Sequence, residues 1–129
     1  MSRGKGSFKV EAWDENPYVE EVGQKMTYAV VRQSFDGDIS GNGEARWLMA
    51  YRADGTARYV GLQRVEGTIG GRHGSFVMET TGEFNGSEAR WSGTILDGCG
   101  TGELASIAGS GEFAAPFGSE ATYELDLTP

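Results

Sequence analysis

The chain has 129 residues and a net charge of −8, with 11 Lys and Arg against 19 Asp and Glu. Its length predicts one domain, residues 1–129, with a single core, and its acidic balance argues against binding to nucleic acid or to anionic membranes. The single cysteine, Cys99, excludes an intrachain disulfide and a thiolate metal cluster, and it indicates a reducing, cytoplasmic location.

Glycine is frequent and recurs at the predicted turns. The 21 Gly and three Pro mark turns at roughly ten-residue intervals, a spacing typical of all-β sandwiches and barrels. The polar residues 1–6 are predicted to be flexible. The start, MSRGKGSFKVEAW, lacks the apolar stretch of a signal peptide, and no run approaches the about 18 apolar residues of a membrane span.

Eight strands are predicted between these turns. In chain order they cover about Ser7–Asp14, Lys25–Asp36, Glu44–Arg52, Ala57–Ile69, Ser75–Phe84, Ala89–Leu96, Ser110–Ala114 and Ala121–Leu127. The segment ENPY ends the first strand as a turn, and ADGT joins the third and fourth as a hairpin. Consecutive antiparallel strands favour a closed up-and-down barrel, which leaves no exposed edge; a sandwich is the alternative.

The Gly-rich stretch CGTGELASIAGSGEFAA, residues 99–115, raises the question of a phosphate site. It lacks the Lys of a phosphate-binding loop, and it does not open a helix in a βαβ unit. We predict instead a loop at the barrel mouth with one short helical turn, capped by Thr101, before the seventh strand.

Three segments carry a resemblance to a known family. KVEAWDENPY (9–18), FDGDISGNGEARWLMAYRADGTARYVGLQRVEGTIGGRHGSFV (35–77) and GTGELASIAGSGEF (100–113) resemble the DUF3224 group of small bacterial barrels, which are similar in fold to plant allene oxide cyclase and the dirigent proteins. The resemblance implies an eight-stranded barrel of the allene oxide cyclase type, commonly oligomeric. Allene oxide cyclase and the dirigent proteins steer ring or stereocentre formation in apolar substrates without a redox cofactor or metal.

Glu11 and Trp13 form the first candidate site. They lie two apart on the first predicted strand and point the same way, and the resemblance implies a Glu in the cavity at this strand. Glu11 and Arg46 stand where relatives often have Lys and Glu, which indicates that the two side chains meet on the inner face. A carboxylate in an apolar barrel is a candidate general acid; the alternative is a structural ion pair at the rim.

Glu79 and Gln63 form the second candidate. Gln63 shares a strand face with Gly61 and Gly67, which make room for a bulky group. Glu79 stands where relatives commonly have Gln. It is a second buried carboxylate if its strand face turns inward, and a solvated surface charge if the face turns outward.

Strand three is apolar on both faces, with Trp47 and Tyr51 on one and Leu48 on the other. Such a strand is covered on both sides, so we expect one face to fill the barrel and the other to pack in a homo-oligomer. Trp13, Trp47, Tyr51 and Trp91 are predicted to wall the pocket. The single histidine, His73, lies in a turn without metal-ligand partners, so we expect no metal and no cofactor.

These features predict a cofactor-free cyclase or isomerase that closes a ring, such as a spiroacetal, in a largely apolar, polyketide-like substrate. Glu11 and Glu79 are the predicted acid and base, and Arg46 and Gln63 are predicted to orient oxygen atoms. One alternative is a non-catalytic barrel that carries a small hydrophobic molecule. The other is a structural barrel whose interior is filled by side chains.

Overall fold

Residues 2–128, the part of the chain that the computed structural model describes, form nine antiparallel β-strands. They are β1 (Ser2–Glu21), β2 (Gln24–Gly37), β3 (Ile39–Tyr51), β4 (Ala57–Ile69), β5 (Arg72–Phe84), β6 (Glu88–Ile95), β7 (Thr101–Gly102), β8 (Ala108–Pro116) and β9 (Ala121–Thr128). All but β7 form a ring in the order β4-β3-β2-β1-β9-β8-β6-β5, which the β4–β5 ladder closes. The predicted eight-stranded antiparallel up-and-down barrel is confirmed.

β1 extends beyond its predicted bounds in both directions. Residues 2–6, expected to be flexible, pair with β9, while Met1 lies outside the described residues. The segment ENPY does not turn, because the strand continues through Pro17, opposite Thr27 on β2. The ladder with β9 ends at Phe8. Beyond that point β1 is an edge strand, where a proline is tolerated.

Side chains fill the middle of the barrel. Inward and outward positions alternate as the period of a strand requires: on β4, Tyr59 and Gln63 are buried, whereas Val60 and Leu62 are exposed. The centre holds a cluster of aromatic rings from seven strands, formed by Phe8, Phe35, Trp47, Tyr59, Trp91, Phe113 and Tyr123.

The two ends of the barrel differ. The β1–β2, β3–β4, β5–β6 and β8–β9 turns lie at one end, which we call the mouth. The β6–β8 connection lies at the other end, where β7 pairs with the start of β5. Two side chains of this connection, Leu104 and Ile107, are buried and close that end.

The loop at the start of the Gly-rich stretch, residues 99–107, was predicted at the barrel mouth, but it lies at the closed end, and only the end of β8 reaches the mouth. The loop approaches β5 closely because Gly74 has no side chain, and a Cβ there would collide with the carbonyl oxygen of Thr101. Leu104 N donates to Thr101 O, Ala105 N to Gly102 O and Ile107 N to Leu104 O, so successive turns stand where one short helical turn was predicted, and they do not extend into a helix. Within residues 2–128 we find no helix long and apolar enough to cross a membrane.

Candidate functional site

The mouth of the barrel opens into a cleft of about 880 Å³, which we call the mouth cleft. Five aromatic rings from different parts of the chain line it: Phe8, Trp13, Tyr51, Phe84 and Phe117. Glu15 places a carboxylate among these rings. The volume is within the range of about 300–1,000 Å³ that is usual for small-molecule sites, and an apolar lining with few polar groups is equally usual.

Small side chains create the space for this cleft. On three neighbouring strands the inward position nearest the mouth is an alanine and the next inward position is aromatic: the pairs are Ala89 and Trp91 on β6, Ala115 and Phe113 on β8, and Ala121 and Tyr123 on β9. The separation of β1 from β9 beyond Phe8 widens the same region. The cleft therefore follows from side-chain size and strand pairing together.

Glu15 is held by three side-chain donors. Trp13 Nε1 donates to Glu15 Oε1 over 2.9 Å, while Thr27 Oγ1 and Tyr51 Oη donate to Oε2 over 2.6 and 2.5 Å. Lys25 Nζ stands 4.9 Å from the centre of the Tyr51 ring. Because the donors come from β1, β2 and β3, the carboxylate is fixed by the sheet and does not depend on a mobile loop.

The surroundings keep Glu15 ionised. Burial raises the pKa of its carboxyl, but hydrogen bonds from Thr27, Tyr51 and Trp13, together with the charge of Lys25, hold the pKa below its ordinary value of 4.5. Burial, and then the bond to Glu15, raises the pKa of the Tyr51 phenol well above its usual range. At neutral pH the pair consists of a proton acceptor, Glu15, and a protonated phenol, Tyr51.

A β-bulge directs these side chains into the mouth. The β1–β2 register shifts between Val10 and Ala12, so Glu11 has no partner on β2. A bulge reverses the faces of the residues that follow it. Phe8 therefore points inward before the bulge, and Trp13, which packs on Trp47 at 5.7 Å between ring centres, points inward after it.

Two of the predicted pocket residues, Trp13 and Tyr51, line the mouth cleft. Trp47, Trp91 and Gln63 are instead buried in the core, where no open space surrounds them, since each is at most 3% exposed. Trp91 stacks on Phe113 with ring centres 5.3 Å apart. The three residues thus fill the barrel interior, as the structural alternative in the sequence analysis requires.

Buried polar groups in the core form a directed chain. Trp91 Nε1 donates to Gln63 Oε1 over 3.2 Å, and Gln63 Nε2 donates to Gln33 Oε1 over 3.3 Å. An indole nitrogen only donates, so it fixes the orientation of both amides. Gln33 Nε2 is left as the buried side-chain atom without a partner among residues 2–128.

The prediction that Glu11 and Arg46 meet on the inner face is wrong. Glu11 is exposed at the bulge and accepts a hydrogen bond from Ser34 Oγ over 2.6 Å. Arg46 lies on the outer wall, where Nη2 pairs with Glu44 at 2.7 Å and Nη1 donates to Tyr28 Oη. Glu11 and Arg46 thus have separate partners and do not form a pair inside the barrel.

Glu79 is also on the outer wall. It is exposed and stands between Leu62 of β4 and Thr94 of β6. Of the two alternatives weighed for its strand face, the outward one is therefore correct. The catalytic roles predicted for Glu11 and Glu79 stay predictions. Glu11 lines the mouth cleft, whereas Glu79 does not, so the cleft does not bring the two carboxylates together.

Sequence reasoning missed Glu15 and Thr27. Glu15 was assigned to the turn ENPY because a proline follows two residues later, so its position two residues after Trp13 on the same face was not used. The alanine-to-aromatic alternation in ARW, FAA and ATY is the readable signal for an open mouth. No sequence pattern marks the bulge at Glu11.

Among residues 2–128 no group of three or more His, Cys, Asp or Glu side chains is placed to hold a metal ion. Three carboxylates line the mouth cleft, those of Glu11, Glu15 and Glu120, and Glu15 is the one held by Trp13, Thr27 and Tyr51. Glu15 in its aromatic surroundings is suited to binding one polar group of an otherwise apolar molecule, or to accepting a proton from it.

Comparisons with known proteins show the family and no activity. Residues 4–127 match the family described as a protein of unknown function, DUF3224. The chain is also similar to the crystal structure of a DUF3224-family protein of unknown function from Shewanella oneidensis MR-1, with 25% identity, a TM-score of 0.80 and coverage of 99% of this chain and 97% of that chain. No curated protein matches it. Since the family match spans nearly the whole chain, the protein belongs to the DUF3224 family.

Proposed function

We propose that the protein binds a small, largely apolar molecule in the mouth cleft, with a polar group of that molecule at Glu15. The observation that carries this proposal is the combination of about 880 Å³ of open space with an aromatic lining and the Glu15 carboxylate. The filled interior supports it as well, because the inward side of the barrel has open space at its mouth and not in its middle.

A fluorescent probe tests the binding proposal. N-phenylnaphthylamine is neutral and apolar, and its emission rises when it leaves water. We expect it to bind the native chain and to lose binding in Ala115→Trp, because the indole occupies the cleft that Ala115 lines. Ala50→Trp, on the exposed outer wall of β3, is the matched control and keeps binding. Equal binding by both variants contradicts the proposal.

The second candidate is the cofactor-free cyclase or isomerase expected from the sequence, with Glu15 as the base. The Glu15 and Tyr51 pair supports it, because the ionised carboxylate can accept a proton from a substrate at Oε1 while the Tyr51 hydroxyl, which donates its hydrogen to Oε2, holds the carboxylate in place. The lowered pKa keeps Glu15 ionised, so it would act as a base, whereas the general acid expected from the sequence was Glu11.

A nitrobenzisoxazole tests proton removal without a known substrate. When a carboxylate takes the proton on the ring carbon, the N–O bond breaks and a coloured cyanophenolate forms. We expect native protein to accelerate this reaction and Glu15→Gln to lose the acceleration. Equal rates contradict a base role for Glu15 and leave the binding proposal intact.

The other expectations belong to the same proposal. A homo-oligomer is supported by Leu48, Val60 and Leu62, which are each about half exposed on the outer wall of β3 and β4, and light scattering after size exclusion measures it. A cytoplasmic location, the absence of nucleic-acid and membrane partners, and the likeness to allene oxide cyclase and dirigent proteins stay predictions.

A further inference from the structure

The Glu15 carboxylate is only partly satisfied by the protein. Oε2 accepts two hydrogen bonds, from Thr27 and Tyr51, whereas Oε1 accepts one, from Trp13. A carboxylate has about four lone-pair sites, so Oε1 keeps one for a ligand. A neutral apolar ligand that covers this oxygen displaces the water that solvates it and offers no hydrogen bond in return, which is unfavourable for a charged group. A ligand with a positively charged donor offsets that cost.

The aromatic rings around the cleft also favour a positively charged ligand. Trp13, Tyr51, Phe84 and Phe117 come from β1, β3, β5 and the β8–β9 turn, so rings surround the opening. The face of an aromatic ring attracts a cation within about 6 Å of its centre. The chain provides an example next to Glu15, since Lys25 Nζ lies 4.9 Å from the centre of the Tyr51 ring.

The charges that line the cleft agree with this. Three carboxylates, Glu11, Glu15 and Glu120, stand against one ammonium group, Lys9. Lys25, on β2, reduces the field of Glu15 without lining the cleft. The net field at the mouth is therefore negative, and it repels an anionic ligand such as a fatty acid carboxylate.

We propose that the ligand of the mouth cleft is an organic ammonium ion: an alkyl or aryl body that packs against Trp13, Phe84 and Phe117, and a charged nitrogen that donates to Glu15 Oε1. This inference rests on the proposed binding function and names its ligand class. It separates the protein from a general apolar carrier, because affinity then depends on the charge of the head group and not on the length of the chain alone.

Three probes with one body and different charges test the proposal: hexylammonium, hexanol and hexanoate, each titrated by calorimetry at low ionic strength. We expect hexylammonium to bind about tenfold more tightly than hexanol, and hexanoate to bind most weakly. Glu15→Gln removes the preference for hexylammonium over hexanol. Glu124→Gln, which removes an exposed carboxylate from the outer face of β9, keeps the preference and is the matched control.

A measurement on the native chain covers the case in which Glu15→Gln does not fold. Added salt weakens hexylammonium binding and leaves hexanol binding unchanged if the interaction is electrostatic. Equal affinity for hexylammonium and hexanol, insensitive to salt, overturns the cation proposal and leaves apolar binding standing. Binding of hexanol and hexylammonium that Ala115→Trp does not alter overturns the binding function and this inference together.

Discussion

The middle of the barrel and its mouth are built from the same strands and differ in side-chain size. In the middle, Trp47 and Trp91 pack with ring centres 4.7 Å apart and leave no space. One inward position further toward the mouth, Ala89, Ala115 and Ala121 replace the rings, and a cleft opens. In this barrel, the size of the side chains in a single layer of inward positions therefore determines whether the layer is packed core or open cleft.

The largest expected effect is a difference in stability between a tryptophan removed from the core and one removed from the mouth. Trp91→Ala removes a ring that is 3% exposed and stacked on Phe113, so we expect the free energy of unfolding to fall by about 3–5 kcal/mol. Trp13→Ala, at the mouth and 38% exposed, should cost roughly 1–2 kcal/mol, since less apolar area is lost. Urea unfolding measures both. Equal losses would mean that Trp13 belongs to the core.

A smaller difference in stability is expected between variants of the two buried glutamines, because the hydrogen bonds run in one direction from Trp91 through Gln63 to Gln33. Gln63→Leu leaves Trp91 Nε1 and Gln33 Oε1 without partners, whereas Gln33→Leu removes the unpaired Gln33 Nε2 and frees only Gln63 Nε2. We therefore expect Gln63→Leu to cost about 1–2 kcal/mol more than Gln33→Leu. If the two variants unfold at the same urea concentration, the chain of hydrogen bonds is not as described.

The mouth also has a pH dependence that the core lacks. The pKa of Glu15 is lower in the folded chain than its ordinary value of 4.5. The folded state therefore binds fewer protons, and the stabilisation is present above that value and is lost as the pH falls through the folded pKa. We expect Glu15→Gln to lower the melting temperature at pH near 7 and to match the native chain in acid. A constant difference at all pH values would contradict the assigned shift.

The smallest effect is expected on the outer wall. Glu79 is exposed and has no place in the mouth cleft, so Glu79→Gln should change stability by less than about 0.5 kcal/mol and leave probe affinity unchanged. A loss of probe binding in this variant would return Glu79 to the site and would show that the ligand lies outside the barrel.

Strand alternation and turn spacing predicted most of the fold. The ADGT hairpin is confirmed by the β3–β4 ladder and the bond from Arg52 N to Thr56 O, since that turn is specified locally. The closed end was not predicted, because the burial of Leu104 depends on contacts with strands distant in sequence.

The site was harder to predict than the fold. A single unpaired residue, Glu11, reverses the faces of β1 and turns Trp13 and Glu15 toward the mouth. Tyr51 lines the cleft as its size and its place in the strand alternation predict, whereas Trp13 lines it because the bulge reverses its strand face. Register shifts leave no comparable trace in composition or periodicity.

The three indole N–H signals of Trp13, Trp47 and Trp91 provide the most direct test of where a ligand binds. They can be followed in a proton–nitrogen correlation NMR spectrum during titration with N-phenylnaphthylamine. We predict that the Trp13 signal, from the mouth, shifts with the ligand, and that the Trp91 signal, from the filled core, does not. A shift of Trp91 with Trp13 unmoved would place the ligand inside the barrel and contradict the mouth as the binding site.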